Sequence, residues 1–344
     1  MARILHLISQ LGEGGAQRQL SLVASQSIHE VEIASLIASP EEELFPFFRN
    51  CSIPLHYLSH SSDFYAPEIL PALKKLIMDR SYSLIHCWMN QSIIQGLVAA
   101  RLSGIPCLSS PRNVLESLDY YTARFWEKRL FRKSVQRSDL VVFPSFTVAI
   151  DFVDSGWVEP ARTRVVYNGV DEIEFQPGFS GEAIVAVGRI AAEKAPEDLE
   201  ETAQQIHKQM PGIRFIVAGG GNPPPSKSIE FVGRVDDIRQ ILRQAAVVIH
   251  TSRFEGMSNA LLEAQSMGIP VIARRNGANT ETVVDGVTGI LADTNDELAR
   301  ACVALLTDQE MRNQMGAMAR KRILSGFTIA GQVKKNEALY NELL

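Results

Sequence analysis

Short runs of apolar residues alternate along this chain with longer segments in which apolar residues recur every three to four positions. The amphipathic segments 17–27, 67–79 and 93–102 predict helices. Strands that alternate with helices in this way predict a parallel sheet that is covered on both faces. In the first half, the apolar runs that predict its strands are ARILHLI, VEIASLIA, SLIHCW, IPCLSS and DLVVFPS.

The second half of the chain repeats the pattern. Residues 168–182 lie between the halves and are polar and rich in Gly and Pro, as a linker would be. We therefore predict one Rossmann-like, doubly wound α/β domain over 1–167, a second over 183–325, and a closing helix over 326–344. A cleft between the strand ends of two such domains is the expected ligand site. The second set of strand-like runs is EAIVAVGR, IRFIVAGG, SIEFVGR, AAVVIHTS and PVIARR.

Composition narrows the class of protein. The 344 residues carry a net charge of −5, which argues against a nucleic-acid partner. The four cysteines form no Cys-x-x-Cys pair, so the pattern indicates neither a disulfide framework nor a zinc site and fits a reducing cytosol. The N-terminus lacks the pattern of a signal peptide, and no apolar stretch approaches the roughly 18 residues that span a bilayer. We expect a cytoplasmic protein whose membrane contact is peripheral, at the inner face.

The stretch SRFEGMSNALLEAQSMGIP, 252–270, follows a predicted strand and joins a polar loop to a short apolar helix. Its helix N-terminus faces the carboxyl end of the strand, where doubly wound sheets bind ligands. Backbone N–H groups near 257–259 and the helix dipole favour an anion there. The carboxylates of Glu255 and Glu263 could accept hydrogen bonds from a ribose diol. The combination predicts a nucleotide-sugar site; the alternative is a pair of solvated glutamates on a surface helix.

Two further turns follow predicted strands. VGRIAAEK carries Arg189 and Lys194, and two cations at one strand end can neutralise a diphosphate and stabilise its departure. The alternative is that both are solvated surface charges. GEGGAQRQ places Gly14 and Gly15 after the first strand, but Gln17 stands where a dinucleotide fingerprint needs its third glycine, which disfavours a nicotinamide site.

The run FEGMSNALLEAQSMGIPVIA resembles the Glu-x7-Glu signature of the retaining glycosyltransferases of family 4, which have the GT-B fold. GRIAAEK is similar to the segment with which that family holds the donor diphosphate, although Ala195 replaces the usual glycine. The resemblance implies that Arg189 and Lys194 stabilise the leaving diphosphate, that Glu255 contacts the donor sugar, and that Glu263 holds the ribose. The further donor contacts that it implies are Gly14, Gly15, Val235, Gly256, Met257, Ser258 and Asn259.

Other positions acquire a role only through the resemblance. His86 sits at the end of the predicted strand SLIHCW and would touch the donor sugar in a catalytic role, with a structural histidine as the alternative. Trp88 stands where the family frequently has a second histidine. Arg112 and Asn113 follow another strand end, where an acceptor contact and a turn-stabilising role are both open. No Asp-x-Asp is present, and similar enzymes need no divalent metal, so we expect neither a metal nor a cofactor.

The segment 118–137 holds six basic and two acidic residues with aromatic residues between them. Such a helix suits an anionic membrane surface. The alternative is an aromatic stripe that faces the core beneath a solvated basic face. The membrane contacts that this hypothesis predicts are Arg124, Trp126, Lys128, Arg129, Arg132 and Lys133.

The three prolines of NPPPSK follow VAGGG, where the family usually has a helix. Because proline cannot continue a helix, we expect this edge of the second domain to be trimmed. As a whole, the resemblance implies a hexosyltransferase that moves a hexose or N-acetylhexosamine from a UDP or GDP sugar to a hydroxyl acceptor in a lipid-linked or polysaccharide precursor. The alternatives are a sugar-nucleotide 2-epimerase, a phosphorylase of the same fold and a non-catalytic partner subunit that binds a nucleotide sugar.

Overall fold

The computed structural model describes residues 1–40, 44–118, 124–172 and 181–344. Residues 119–123 of the segment predicted to contact a membrane and 173–180 of the predicted linker lie outside the described residues. The chain divides into two compact units. The first unit comprises Met1–Gly169 with Ile329–Leu344, and the second comprises Val170–Thr328.

The first unit is built on a parallel sheet, as the alternating pattern predicts. Its seven described strands have the order β3-β2-β1-β4-β5-β6-β7. The strand order reverses between β1 and β4, so the crevice at their carboxyl ends is a topological switch point. The strands are β1 (Arg3–Ile8), β2 (Glu30–Ser35), β3 (Leu55–Tyr57), β4 (Leu84–Trp88), β5 (Cys107–Ser110), β6 (Leu140–Phe143) and β7 (Thr163–Val165).

Helices cover both faces of this sheet because each buries an apolar stripe against it. Helices α3 to α6 supply Leu73, Ile93, Phe131 and Phe152 to the core on one face. Leu20 of α1 packs on the opposite face. The helices are α1 (Gly15–Ser25), α2 (Pro46–Asn50), α3 (Ile69–Arg80), α4 (Asn90–Ser103), α5 (Phe125–Arg137) and α6 (Phe146–Asp154).

The second unit has a parallel sheet of six described strands in the order β10-β9-β8-β11-β12-β13. Its switch point lies between β8 and β11. The strands are β8 (Ala183–Val187), β9 (Phe215–Ala218), β10 (Glu230–Gly233), β11 (Ala245–His250), β12 (Val271–Arg274) and β13 (Gly289–Ala292). The helices are α7 (Pro196–Gln209), α8 (Ile238–Leu242), α9 (Asn259–Ser266), α10 (Gly277–Thr282), α11 (Asn295–Thr307) and α12 (Gln309–Gly326).

The polyproline segment has the effect that the sequence predicts. Residues 219–229 are all described, and they connect β9 to β10 without a helix. The expected trimming of this edge is thus confirmed. No helix among the described residues has the length and apolar character needed to cross a bilayer.

The last helix, α13 (Ile329–Leu343), lies within the segment 326–344 predicted as a closing helix, and it belongs to the first unit. Its Leu339 and Tyr340 are buried in a cluster with Ile4 and Leu84, on strands β1 and β4. The chain thus leaves the first unit after Gly169 and returns to complete it.

Candidate functional site

The turn after β8 packs tightly against the glycine run that follows β9. The Gly188 N–H donates to the Ala218 carbonyl at 3.0 Å, and the Ile190 N–H donates to the Gly220 carbonyl at 2.8 Å. A Cβ on Gly219 would lie 1.9 Å from the Gly188 carbonyl oxygen, so a side chain there would collide with the backbone. This close approach fixes the turn that carries Arg189 and Lys194 at the carboxyl end of β8.

Three titratable side chains meet where β8 and β11 end. The Lys194 ammonium donates to Oε1 of Glu255, and Nε2 of His250 lies 2.8 Å from the same oxygen. The side chains of Glu255 and His250 are 10% and 5% exposed, whereas that of Lys194 is 25% exposed, so the carboxylate and the imidazole are enclosed and the ammonium is partly open. The spacing of the motifs predicts Lys194 and Glu255. It does not predict His250, whose signal is a histidine at the end of an apolar strand.

The cluster sets the charge of Glu255. Burial alone raises the pKa of this carboxyl, but the Lys194 ammonium and the His250 hydrogen bond outweigh burial and hold the pKa well below the usual 4.5. Glu255 is therefore a carboxylate at neutral pH and can only accept hydrogen bonds.

The loop after β11 is tied to the short 3₁₀ turn at 192–194. The Thr251 hydroxyl donates to the Lys194 carbonyl at 2.9 Å, and the Arg253 N–H donates to the Glu193 carbonyl at 3.1 Å. Arg189 pairs with Glu193 at 3.0 Å while its own side chain remains 58% exposed. Its guanidinium is thus held by one carboxylate and still open to a second anion.

Helix α9 begins beside this loop, as the sequence predicts. Ser258 caps it by accepting a hydrogen bond from the Leu261 N–H. Glu263 lies within the helix and is 5% exposed, and Met257 and Ser258 are also buried. The alternative of two solvated glutamates is wrong, because Glu255 and Glu263 are both enclosed.

The remaining donor contacts predicted in the second unit flank this helix or lie farther away. Gly256 is buried, and Asn259 is the first residue of α9. Val235 is half-buried and follows β10, two strands away from β8. The structure thus brings the loop residues together and leaves Val235 apart from them.

In the first unit, the predicted glycine turn follows β1 at the carboxyl edge of the sheet. Gly14 precedes helix α1, which begins at Gly15. The side chain of Gln17 donates to the Gln10 carbonyl at 3.0 Å and passes so close to Gly14 that a Cβ there would lie 2.3 Å from its Oε1. Gly14 thus ends the predicted loop, and Gly15 is the first residue of the helix that follows it.

The predicted position of His86 is wrong. His86 lies inside β4, opposite His6 of β1, and has no exposed surface. Its Nδ1 is 3.0 Å from the Tyr340 hydroxyl, and its ring stacks on Trp88 at a centroid distance of 4.6 Å. Burial lowers the pKa of His86 well below 6.5, with His6 and Arg112 contributing. The ring is a neutral group enclosed in the core of the first unit, which favours the structural alternative.

The Arg112 guanidinium already has several partners within the protein. Its guanidinium lies over the Trp88 ring at 5.1 Å and donates to the Ser110 hydroxyl at 3.4 Å and to the Asn168 side chain. Burial lowers the pKa of Arg112 to about 10. These contacts favour the turn-stabilising role, and Asn113 lies beside it, half-buried.

Helix α5 separates an inner apolar face from an outer basic face. Phe131 and Val135 are buried, whereas Arg129, Arg132 and Lys133 are exposed. The Phe125 side chain, at the start of the helix, is 96% exposed. We call Phe125, Arg129, Arg132 and Lys133 the basic face.

The other residues predicted to contact a membrane are less exposed or already paired. Arg124 forms an ion pair with Asp63 at 3.0 Å, and Trp126 packs edge-on against Tyr65. Lys128 is half-buried. The part of the chain that the structure describes contains no cluster of three or more His, Cys, Asp or Glu side chains suited to a metal ion.

Family models match both units of the chain. The model described as glycosyl transferases group 1 matches residues 181–308, and the model described as glycosyltransferase family 4 matches residues 18–173.

Curated relatives carry the same kind of name. The UDP-Gal:alpha-D-GlcNAc-diphosphoundecaprenol alpha-1,3-galactosyltransferase of Escherichia coli is 27% identical over 310 residues, which cover 80% of this chain and 79% of that protein. A D-inositol 3-phosphate glycosyltransferase of Kribbella flavida is 31% identical over 54% of this chain. In that case the match spans about half of the relative, 52% of its length.

Solved structures are similar over the entire chain. The Anabaena protein HepE in complex with UDP and glucose superposes with a TM-score of 0.86 at 19% identity, covering 100% of both chains. The sucrose-phosphate synthase of Thermosynechococcus elongatus gives a TM-score of 0.81 at 21% identity, covering 99% of both chains. These similarities confirm the predicted GT-B fold of two α/β domains.

Proposed function

This chain belongs to the group 1, family 4 glycosyltransferases, and from that premise we propose that it transfers a hexose or N-acetylhexosamine from a UDP or GDP sugar to a hydroxyl acceptor. We propose further that transfer retains the anomeric configuration and needs no metal ion. The observation that carries the proposal is the contact of Lys194 with the enclosed Glu255 at the carboxyl ends of β8 and β11, on the same turn that carries the exposed Arg189.

The two cations suit a leaving diphosphate. Bond cleavage at the anomeric carbon leaves negative charge on the departing phosphate oxygen, and fixed cations stabilise that charge best where water is excluded. The ammonium of Lys194 bears three donor hydrogens, and Glu255 engages one of them. Arg189, held by Glu193, adds a second cation, and the start of α9 contributes its backbone dipole.

The acidic residues suit the sugars of the donor. In this proposal the Glu255 carboxylate accepts a hydrogen bond from a hydroxyl of the transferred sugar, and Glu263 accepts hydrogen bonds from the ribose hydroxyls. The bond from the anomeric carbon to the phosphate breaks, a bond to the acceptor oxygen forms, and the acceptor proton passes to the departing phosphate oxygen. His86 takes no part, because it is enclosed in the core of the first unit.

We propose a lipid-linked acceptor at the inner face of a membrane. The support is the Escherichia coli relative, whose name specifies a diphosphoundecaprenol acceptor, and the basic face of α5. Each basic residue near an anionic surface contributes about 1 kcal/mol of binding. An acceptor contact at Arg112 and Asn113 stays a prediction.

Vesicle flotation tests the membrane part of the proposal. We expect the protein to float with phosphatidylglycerol-containing vesicles at low salt and not with neutral phosphatidylcholine vesicles. The Arg129→Glu/Lys133→Glu double variant should lose flotation, whereas Lys208→Glu/Lys227→Glu, which reverses two exposed charges of the second unit, should retain it. Equal flotation of the two double variants would contradict a role for the basic face.

A transfer assay tests the chemistry. The protein is incubated with radiolabelled UDP-galactose, UDP-glucose, UDP-N-acetylglucosamine or GDP-mannose and a synthetic N-acetylglucosaminyl-diphospho-lipid, with and without EDTA. We expect label in the lipid with one donor, no effect of EDTA, and an α-configured product by ¹H NMR. A β-configured product would contradict retention. Interconversion of donor sugars without an acceptor would indicate an epimerase, and nucleotide-sugar binding without turnover would indicate a partner subunit.

A further inference from the structure

Both hydrogen bonds that Glu255 makes among the described residues end on the same oxygen. Lys194 donates to Oε1, and Nε2 of His250 lies 2.8 Å from Oε1. The other oxygen, Oε2, has no hydrogen-bond partner among the residues that the structure describes. One half of this carboxylate is thus held by the protein, and the other half is available to a ligand.

The chemistry of the pair fixes the direction of the hydrogen bond. Glu255 is an ionised carboxylate because its partners outweigh its burial, so it can only accept. The bond therefore requires a proton on Nε2 of His250. An imidazole with this proton donates to Oε1 and offers Oε2 no competing donor.

His250 supplies a rigidity that Lys194 lacks. The ammonium of Lys194 sits on a flexible four-carbon stem, which by itself lets the carboxylate rotate. His250 is the last residue of β11, is paired with Ala273 of β12, and is 5% exposed. Its ring is thus anchored in the sheet and can hold Glu255 in one orientation.

We propose that His250 is a positioning residue for the donor sugar. With Lys194 it fixes the Glu255 carboxylate so that Oε2 accepts a hydrogen bond from one hydroxyl of the transferred sugar. His250 does not itself touch the sugar, and the inference rests on the proposed function of this site. Its effect should therefore appear in the recognition of the sugar and not in that of the nucleoside diphosphate.

Isothermal titration calorimetry separates the two parts of the donor. The ligands are UDP, UDP-glucose, UDP-galactose and UDP-N-acetylglucosamine, and the proteins are the wild type, His250→Leu and His250→Gln. We expect His250→Leu to raise both the dissociation constant and the KM of the preferred UDP-sugar by about tenfold or more. The dissociation constant of UDP should stay within about twofold of the wild-type value, because the substitution removes only a hydrogen bond to Glu255 and leaves Arg189 and Lys194 in place. His250→Gln, which retains a donor, should restore most of the sugar affinity.

The outcomes that overturn the inference are distinct from failure of the proposed function. Unchanged UDP-sugar affinity in His250→Leu, or an equal loss for UDP and UDP-sugar, overturns the positioning role alone. A wild-type protein that binds none of these four ligands, and neither GDP nor GDP-mannose, overturns the proposed function and this inference with it. If His250→Leu does not fold, ¹⁵N-histidine NMR of the wild type decides, because a proton on Nδ1 alone would rule out the bond.

Discussion

Glu255 keeps its charge inside the second unit because two partners compensate for its burial. Lys194 and His250 lower its pKa below 4.5, although burial acts in the opposite direction. A carboxyl whose pKa is lower in the folded than in the unfolded state stabilises the fold above the unfolded pKa. That stabilisation is lost as the pH falls toward the folded value.

The lowered pKa of Glu255 gives a prediction for the stability of the Glu255→Gln variant. At pH 7 the variant should unfold with a free energy about 3 kcal/mol lower than the wild type, because it leaves Lys194 without its carboxylate. The difference should shrink as the pH falls below 4.5. Urea denaturation at pH 7, 5 and 4 measures it. Glu230→Gln is the matched control, since its ion pair with Arg214 is exposed and contributes at most about 1 kcal/mol.

Arg189 and Arg214 provide a second matched pair. Both are exposed arginines of the second unit with one carboxylate partner, but Arg189 follows β8 while Arg214 precedes β9. We expect Arg189→Ala to raise the dissociation constant of UDP by about tenfold, the effect of losing one charge-assisted hydrogen bond. Arg214→Ala should bind UDP as the wild type does. Equal effects in a calorimetric titration would place the diphosphate elsewhere.

The sequence predicts some of the titratable residues of this site and misses others. Arg189, Lys194 and Glu255 follow from motif spacing, because each follows a recognisable apolar strand. His250 escapes notice because its role depends on a partner across a loop. His86 is misplaced because the apolar pattern shows that a strand is present but not which side chain stands at its end.

The turn that carries Arg189 and Lys194 is held in place by close backbone packing against the glycine run that follows β9. Gly219 has a φ of +156° and faces the Gly188 carbonyl, whereas a Cβ on neighbouring Gly220 would meet nothing within 4 Å. We expect Gly219→Ala to destabilise the second unit by about 1–3 kcal/mol and to weaken UDP binding, because the turn that carries Arg189 must move. Gly220→Ala should alter neither. Thermal unfolding with and without UDP distinguishes the two variants, and similar behaviour would contradict this account.

Strand prediction succeeds where the chain is buried on both faces. Strands β1, β4 and β11 coincide with continuous apolar runs because helices cover both faces of each sheet. The three-residue edge strands β3 and β7 are only half-buried or exposed, so no apolar run marks them. The edge strand β13 is mostly buried, but its run GILA has only four residues, so the apolar pattern does not separate it from the turn before it.

The first unit is built from two segments of the chain that are separated in sequence by the whole second unit. Helix α13 follows the second unit in sequence and packs within the first, where Tyr340 is fully buried. The apolar pattern predicts this helix, but it cannot assign it to a unit because the partner residues, from Ile4 to Val166, lie far earlier in the chain.

Tyr340 therefore stabilises the first unit, although it lies in the short C-terminal segment Ile329–Leu344 that follows the second unit in sequence. Tyr340→Ala should lower the unfolding free energy by about 3–5 kcal/mol, since it empties an enclosed aromatic site and leaves Nδ1 of His86 without the hydroxyl. Glu342→Ala, on the same helix, removes only an exposed ion pair with Arg164 and should cost at most about 1 kcal/mol. Urea denaturation followed by circular dichroism tests this, and equal losses would contradict the buried role of Tyr340.

The most direct test of the central claim is a thermal-shift panel of UDP, GDP and their common sugars, with and without EDTA. A ligand at about 100 times its dissociation constant adds roughly 2.7 kcal/mol to the stability of the folded state. We predict that one nucleotide family raises the unfolding temperature, that EDTA leaves the shift unchanged, and that Arg189→Ala reduces it. The absence of a shift with every nucleotide and nucleotide sugar would contradict the assignment of this site to a nucleotide-sugar donor.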